Sequence, residues 1–210
     1  MKRTWHVHVG AHKTATTHLQ HILETQVAKL RDLGVDVLPY AATSPFVRSA
    51  ATTSSSSRNQ LGHRIRGALE GLGLPYALSS IDRHPQPRPV VLFSHEDQLG
   101  VTQDLLRERF YLGSERLGLR ERISARFETK IFLSVRSFDS LFISAFSEIL
   151  KPFPDARVRL ENRRRTLRTN PPSWLELAER LAHRYPEAQV CVWRFEDFVV
   201  DPRAIVEQFV

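Results

Sequence analysis

Residues suited to holding a phosphate group lie near the start of the chain, in the segment Gly10–Thr17. Gly10 allows close backbone approach, and the helix expected to begin here exposes its first amides to an anion. Lys13 adds a full positive charge, and the threonines that follow add hydroxyls that can bind oxygen or start a helix. The segment therefore predicts a phosphate-binding turn.

This turn is not a complete phosphate loop of the kind found in kinases and nucleoside triphosphatases. That loop has a glycine immediately before its lysine, and here His12 stands before Lys13. A kinase would also need an acidic magnesium ligand at the end of a neighbouring strand, for which Asp97 is the available residue. An enzyme that transfers phosphate from ATP stays open as an alternative interpretation.

Two further groups of polar residues follow apolar runs. Arg136 comes directly after the strand-like residues 130–135, and His95 and Glu96 follow the apolar run 90–93. The carboxyl ends of parallel strands meet at one edge of a sheet, where such folds bind their ligands. A guanidinium matches the planar fork of phosphate oxygens, and a carboxylate or an imidazole can accept a proton. We expect these side chains to share an edge with the phosphate-binding turn.

The order of strands and helices predicts an α/β protein with a three-layer, P-loop-like fold, in which helices flank a central, mainly parallel sheet. Strands are expected at residues 4–9, 90–94, 130–135 and 190–193. Helices are expected at residues 14–33, 59–72, 103–126, 138–149 and 174–182, and from Asp201 onward. Residues 52–57 are expected to form a loop, and residues 151–170 show no regular pattern. The length suits one domain over residues 1–210.

The segment Lys13–Thr17 resembles the 5′-phosphosulfate loop of the sulfotransferases that use PAPS (3′-phosphoadenosine 5′-phosphosulfate), which reads Lys-Thr-Gly-Thr-Thr. Ala15 stands where that family usually has glycine, and the longer stretch Val9–Gln20 looks like the bacterial branch. In the family, a strand ends in an arginine, and a serine eight residues later joins it on the 3′-phosphate of the donor. Arg136 and Ser144 have this spacing.

A third similarity lies late in the chain, where Val192–Phe198 followed by Asp201 and Pro202 resembles the strand-and-helix ending of the family. Phe195 replaces the usual tyrosine, so any hydroxyl contact to the nucleotide is lost and stacking is the one contact left open to this ring. Many relatives continue with further nucleotide contacts beyond the point that corresponds to Val210. Both a short member and a truncated one therefore stay open.

The resemblance implies a reaction and a donor: PAPS as co-substrate, adenosine 3′,5′-bisphosphate (PAP) as product, and in-line attack by a hydroxyl or amine of a carbohydrate or small molecule, without a metal. Lys13, with the loop amides and Thr16 or Thr17, is implied to stabilise charge on the leaving phosphate. Glu96 is the first choice of general base, and His95 is its rival. The implied donor-binding residues are Gly10, His12, Lys13, Thr14, Ala15, Thr16, Thr17, Arg136 and Ser144.

The formal charge of +7 and the pI near 10.1 favour anionic partners. Six arginines crowd into residues 157–168 against a single acid. They could cover the donor, hold an acidic acceptor such as a glycan, or form a solvated basic loop. A non-catalytic module that binds a polyanion stays open as a second alternative, although we expect no nucleic acid partner.

The remaining sequence features concern metal binding, membrane insertion and cellular location. The neighbouring histidines have no cysteine or carboxylate cluster at matching spacing, so we expect no metal site. No run approaches the roughly 20 apolar residues of a spanning helix, and the basic N-terminus lacks a secretory pattern. The single cysteine, Cys191, excludes an intrachain disulfide. We expect a cytoplasmic protein, and its acceptor and oligomeric state stay open.

Overall fold

The computed structural model of the chain describes residues 3–40, 88–100, 102–106, 110–111, 127–149 and 155–210. In chain order the elements are β1 (Arg3–His8), α1 (Thr16–Thr25), α2 (Val27–Asp32), β2 (Val35–Val37), β3 (Val90–Ser94), β4 (Phe127–Val135), α3 (Phe138–Ile149), α4 (Ala156–Thr169), α5 (Trp174–Arg184), β5 (Gln189–Arg194), α6 (Phe195–Val200) and α7 (Pro202–Phe209). Short 3₁₀ turns occupy Glu96–Gln98 and Thr102–Leu106.

The described strands form one parallel sheet in the order β2-β3-β1-β4-β5. Strand β1 is central, and its last residue, His8, lies opposite Ser94 of β3 and Phe132 of β4. The carboxyl ends of the strands therefore lie along one edge, where the turns after β1, β3 and β4 are neighbours. This arrangement confirms the expected α/β class with a parallel central sheet between helices.

Strand β1 is covered on both of its faces. Trp5 and Val7 face a layer that includes α3 and α5, whereas His6 and His8 face the opposite layer, where they contact Phe209 of α7. The first layer contributes Leu141, Ala145, Leu177 and Leu181 to the core. The second contributes Leu19, Leu23, Leu30, Ile205 and Phe209. The two cores give the three layers that the sequence predicts.

Several element boundaries differ from the sequence-based expectation. The helix expected over residues 14–33 is two helices, α1 and α2, which meet at Gln26. The hydroxyl of Thr25 donates to the carbonyls of His21 and Ile22, a contact that competes with regular helix propagation. Gly34 then ends α2 with a left-handed φ of 84°. The short strand β2 has no counterpart in the expectation.

The expectation of no regular element over residues 151–170 is wrong for its described part, which contains α4. The pattern is hard to recognise because Arg163 occupies a buried position on the covered face of this helix. Its guanidinium donates to the carbonyl of Leu105 and lies 6.0 Å from the ring of Phe142. The expected loop 52–57, the helix 59–72 and most of the helix 103–126 lie outside the described residues.

Candidate active site

The turn that joins β1 to α1 is pressed against the neighbouring strand β4. The amide of Ala11 donates to the carbonyl of Ser134 over 3.1 Å, which continues the sheet pairing past the end of β1. A β-carbon on Gly10 would lie 2.5 Å from Thr16 Oγ1 and 2.7 Å from both His8 Cε1 and Ser134 Oγ. Close packing, rather than backbone angle, therefore requires glycine at this position.

Two residues of the turn have left-handed backbone conformations, Lys13 with φ 66° and Ala15 with φ 60°. This region costs a residue with a β-carbon about 1–2 kcal/mol. Ala15 is the position at which the resembling loop has glycine, which adopts such angles freely. Helix α1 begins at the next residue, Thr16, and no side chain caps it. The first amides of α1 are therefore free of a side-chain cap and suit an anion.

A buried polar network underlies the turn. The ring of His8 bonds Ser94 Oγ through Nδ1 over 2.9 Å and Ser134 Oγ through Nε2 over 3.1 Å. Ser134 Oγ lies 2.7 Å from Thr14 Oγ1, whose hydroxyl donates to the carbonyl of Ala11. Because the Thr14 hydroxyl donates its proton to Ala11, it must accept the hydrogen bond from Ser134. The Ser134 oxygen then accepts from the protonated Nε2 of His8. Burial lowers the pKa of His8 from its ordinary value of 6.5 to about 3, which keeps the ring neutral.

The threonines of the turn differ in their hydrogen bonds and in their exposure. Thr14 is buried, and its hydroxyl forms its hydrogen bonds within the network beneath the turn. Thr16 is equally buried and lines a cavity, but its hydroxyl packs against Gly10 and has no hydrogen-bond partner among the described residues. Thr17, which is exposed, lines the same cavity. A buried hydroxyl without a partner is costly unless a ligand satisfies it.

The cavity at this edge of the sheet has a volume of about 430 Å³, within the range of small-molecule sites. It joins the turn after β1, the turn after β3, Arg136 after β4 and the polar face of α3. Its wall is formed by His12, Lys13, Ala15, Thr16, Thr17, Glu96, Thr102, Arg136, Ser144, Glu148 and Phe195. Of the residues expected in the site, Gly10 and Thr14 lie beneath this wall, and His95 lies outside it.

Arg136 contacts the turn directly. One guanidinium nitrogen, Nη1, donates to the carbonyl of Lys13 over 2.7 Å, and Nε donates to Ser140 Oγ over 2.8 Å. The guanidinium lies 4.4 Å from the centre of the Phe195 ring, a cation–π distance. The backbone carbonyl of Arg136 accepts from Trp174 Nε1 over 2.8 Å. The arginine is therefore fixed in place with its second terminal nitrogen, Nη2, unused among the described contacts.

Helix α3 contributes both a hydroxyl and a charge to the cavity. Ser144 and Glu148 lie one helical turn apart and both line it. The carboxylate of Glu148 forms an ion pair with the Nζ of Lys13. The pair is partly exposed, since the two side chains retain 55% and 32% of their accessible surface. Lys13 and Arg136 thus line one cavity. The charge of Lys13 is neutralised there by the carboxylate of Glu148.

The turn after β3 separates the two candidate bases. Glu96 begins the 3₁₀ turn and lines the cavity. His95 is completely buried, and its Nδ1 accepts from the amide of Asp97 over 3.2 Å. Its ring stacks on Tyr40 with centroids 4.7 Å apart. Of the two side chains, Glu96 is therefore the one that borders the cavity.

Some residues of the site carry no recognisable signal in the sequence. Ser140 holds Arg136, and Glu148 holds Lys13, although the pattern of α3 identifies them only as polar-face residues. Ser134, the centre of the buried network, is the last residue but one of β4 and is separated by 120 residues from its partner Thr14. A polar residue near the end of a buried strand is the one signal that could have drawn attention to it.

Among the described residues, no group of three or more histidine, cysteine, aspartate or glutamate side chains lies close enough together to hold a metal ion. None of the described helices combines the length and hydropathy needed to cross a membrane.

Comparison with known proteins identifies the architecture. No model of a protein family matches the sequence. A comparison with curated proteins finds no match either. Among solved structures, the chain is similar to a crystal structure of a sulfotransferase from Alicyclobacillus acidocaldarius, with a TM-score of 0.55 and 16% sequence identity, over 99% of this chain and 79% of that one. The chain therefore has a sulfotransferase-like fold.

Proposed function

We propose that the chain is a sulfotransferase that moves a sulfuryl group from PAPS to a hydroxyl or amine of an acceptor, a carbohydrate or small molecule, and releases PAP. The observation that carries this proposal is the meeting of Lys13 and Arg136 at one cavity, with direct contact between the guanidinium and the Lys13 carbonyl. One ligand with phosphate groups at both ends can satisfy both cations. The fold similarity to a sulfotransferase supports the same conclusion.

The residues present fit the donor in two places. The uncapped start of α1, the Lys13 ammonium and the unpartnered Thr16 hydroxyl suit the 5′-phosphosulfate. Arg136 and Ser144 suit the 3′-phosphate, because the guanidinium retains Nη2 for a phosphate oxygen. Phe195 lies beneath the guanidinium and closes that part of the wall.

The reaction requires positioning of the reactants, stabilisation of charge on the leaving group and removal of a proton from the acceptor. The acceptor oxygen or nitrogen forms a bond to sulfur while the bond from sulfur to the leaving phosphate oxygen breaks, so the two reactants must be held in line. Lys13 and the first amides of α1 stabilise the charge that accumulates on the leaving oxygen. Glu96 accepts the proton that the acceptor loses. Glu148 must release Lys13 for this, since its carboxylate occupies the ammonium in the structure.

The alternative of a kinase uses the same turn differently. It would employ Asp97 as a magnesium ligand, and in the structure Asp97 Oδ1 accepts from His12 Nε2 over 3.1 Å. Calorimetric titration of PAP and of ATP, each with and without magnesium, separates the two activities. We expect PAP to bind without metal more tightly than ATP does. Tighter binding of ATP that depends on magnesium would instead establish the kinase.

The alternative of a polyanion-binding module predicts different variant behaviour. Its affinity would fall steeply with salt and would survive Lys13→Ala, since many basic groups share the contact. We expect PAP binding to be weakened about 10-fold or more by Lys13→Ala, the loss of one charged hydrogen bond. Arg203→Ala, which removes an exposed arginine on α7, serves as the control and should bind PAP normally.

A further inference from the structure

His12, the residue that replaces the glycine of a kinase loop, is held by three hydrogen bonds. Its backbone amide donates to the hydroxyl of Tyr111 over 2.9 Å. Its ring Nδ1 lies 3.1 Å from the same hydroxyl, and its Nε2 lies 3.1 Å from Asp97 Oδ1. His12 and Tyr111 are both buried. The turn after β1 is thereby tied to the turn after β3, which also contains Glu96.

The hydrogen bonds assign the ring protons. The Tyr111 hydroxyl accepts from the His12 amide, and its own proton has one acceptor among the described residues, His12 Nδ1. Burial raises the pKa of Tyr111 above its ordinary range, so the hydroxyl keeps that proton. Nδ1 is therefore an acceptor, and Nε2 carries the proton that is donated to Asp97. Both ring nitrogens are engaged, so this ring has no lone pair to offer a substrate.

We propose that His12 is a positioning residue: through its Nε2–H bond to Asp97 it fixes the spacing between the phosphate-binding turn and the turn that contains Glu96. This rests on the proposed function, in which the donor is held by the first turn and the acceptor proton is taken at the second. A glycine at position 12 could not make the contact, since the link consists of side-chain atoms. The link requires an acceptor at position 97, but not a charged one.

The link makes distinct predictions for three substitutions. Asp97→Ala and His12→Ala each remove it, and each should weaken PAP binding about 10-fold, as expected for a lost buried hydrogen bond. The double variant should be no weaker than His12→Ala alone, because Asp97→Ala removes nothing further from the link once the ring is gone. Asp97→Asn retains a carbonyl oxygen that accepts from Nε2 and should bind PAP within about twofold of wild type. Asp32→Ala, an exposed aspartate on α2, is the matched control.

The test combines calorimetry of PAP with nitrogen-detected NMR of the His12 ring, whose signals are assigned by their loss in His12→Ala. We expect the spectrum of the Nε2–H tautomer in wild type and in Asp97→Asn. A spectrum with protons on both nitrogens, PAP binding as weak in Asp97→Asn as in Asp97→Ala, or additive losses in the double variant would overturn the proposal. If wild type fails to bind PAP, the proposed function fails, while the NMR spectra and a His12–Asp97 cycle measured on unfolding still decide the link.

Discussion

Thr14 and Thr16 are two residues apart, yet they belong to different regions of the site. Thr14 is part of the buried network beneath the turn, with His8, Ser94 and Ser134, in which each hydroxyl has a partner. Thr16 lies on the cavity wall, and its hydroxyl has no partner among the described residues. The network holds the turn in place, whereas the wall contains the residues that we propose bind the donor. Residue type alone does not separate these roles.

The largest effect that sharpens this comparison is the response of the buried network to acid. Because the pKa of His8 is lowered in the folded state, the unfolded chain takes up a proton below pH 6.5 that the folded chain does not. The free energy of unfolding should therefore fall as pH falls, by about 3 kcal/mol from this residue between pH 6.5 and pH 4. Urea denaturation across this range measures the fall.

The control for this prediction is another histidine. His8→Asn should reduce the dependence on pH, and His21→Asn, which removes an exposed histidine of α1, serves as the matched control. An equal fall in both variants would show that the network does not hold a neutral imidazole.

The variants Thr14→Val and Thr16→Val test the comparison of the two threonines directly. Thr14→Val leaves buried polar partners unsatisfied and should lower the free energy of unfolding by about 1–3 kcal/mol. Thr16→Val should change it by less than about 0.5 kcal/mol, because no described contact is lost. The second variant should instead weaken PAP binding about 10-fold, as measured by calorimetry. The reverse assignment of the two effects would mean that the roles of the network and the wall are exchanged.

Removal of the carboxylate beside Lys13 should improve binding. Glu148→Gln breaks an exposed ion pair worth about 0.2–1 kcal/mol, and it also removes a negative charge from the cavity. We expect PAP affinity to rise about two- to fivefold at low salt, and the gain should shrink at high salt. Glu207→Gln, in an exposed pair on α7, is the matched control. Weaker PAP binding in Glu148→Gln would show that this carboxylate helps to hold the donor.

The smallest predicted effect concerns the backbone of the turn. Ala15→Gly removes a β-carbon from a left-handed residue, and the gain of about 1–2 kcal/mol is partly offset by the greater freedom of glycine in the unfolded chain. The free energy of unfolding should rise by about 0.5 kcal/mol in urea denaturation. A decrease would indicate that the turn changes its backbone conformation in solution.

The difference between the cavity wall and the buried network also separates what the sequence could predict from what it could not. The turn after β1 and Arg136 could be located because each follows a strand that the alternation of apolar residues reveals. Ser144 could be located only through the family resemblance, which expects a serine eight residues after that arginine. The fold class followed from the same alternation. Their placement in one cavity follows from the parallel order of the strands.

The supporting contacts could not be predicted, because they join residues that are remote along the chain. Tyr111 lies 99 residues from His12, and Glu148 lies 135 residues from Lys13. Each is an ordinary residue in its own segment, and only the packing of the sheet edge brings it to its partner. Helix α4 could not be predicted for a related reason. Its covered face contains Arg163, whose guanidinium donates to the carbonyl of the remote residue Leu105.

The central claim is that Lys13 and Arg136 bind opposite ends of one nucleotide. Calorimetry without metal should compare PAP with adenosine 5′-monophosphate, which lacks the 3′-phosphate, on wild type, Arg136→Ala and Lys13→Ala. We expect wild type to prefer PAP by about 10-fold or more, Arg136→Ala to lose that preference, and Lys13→Ala to bind both nucleotides weakly. Equal affinity of wild type for the two nucleotides, or a preference for PAP that survives Arg136→Ala, would contradict the account.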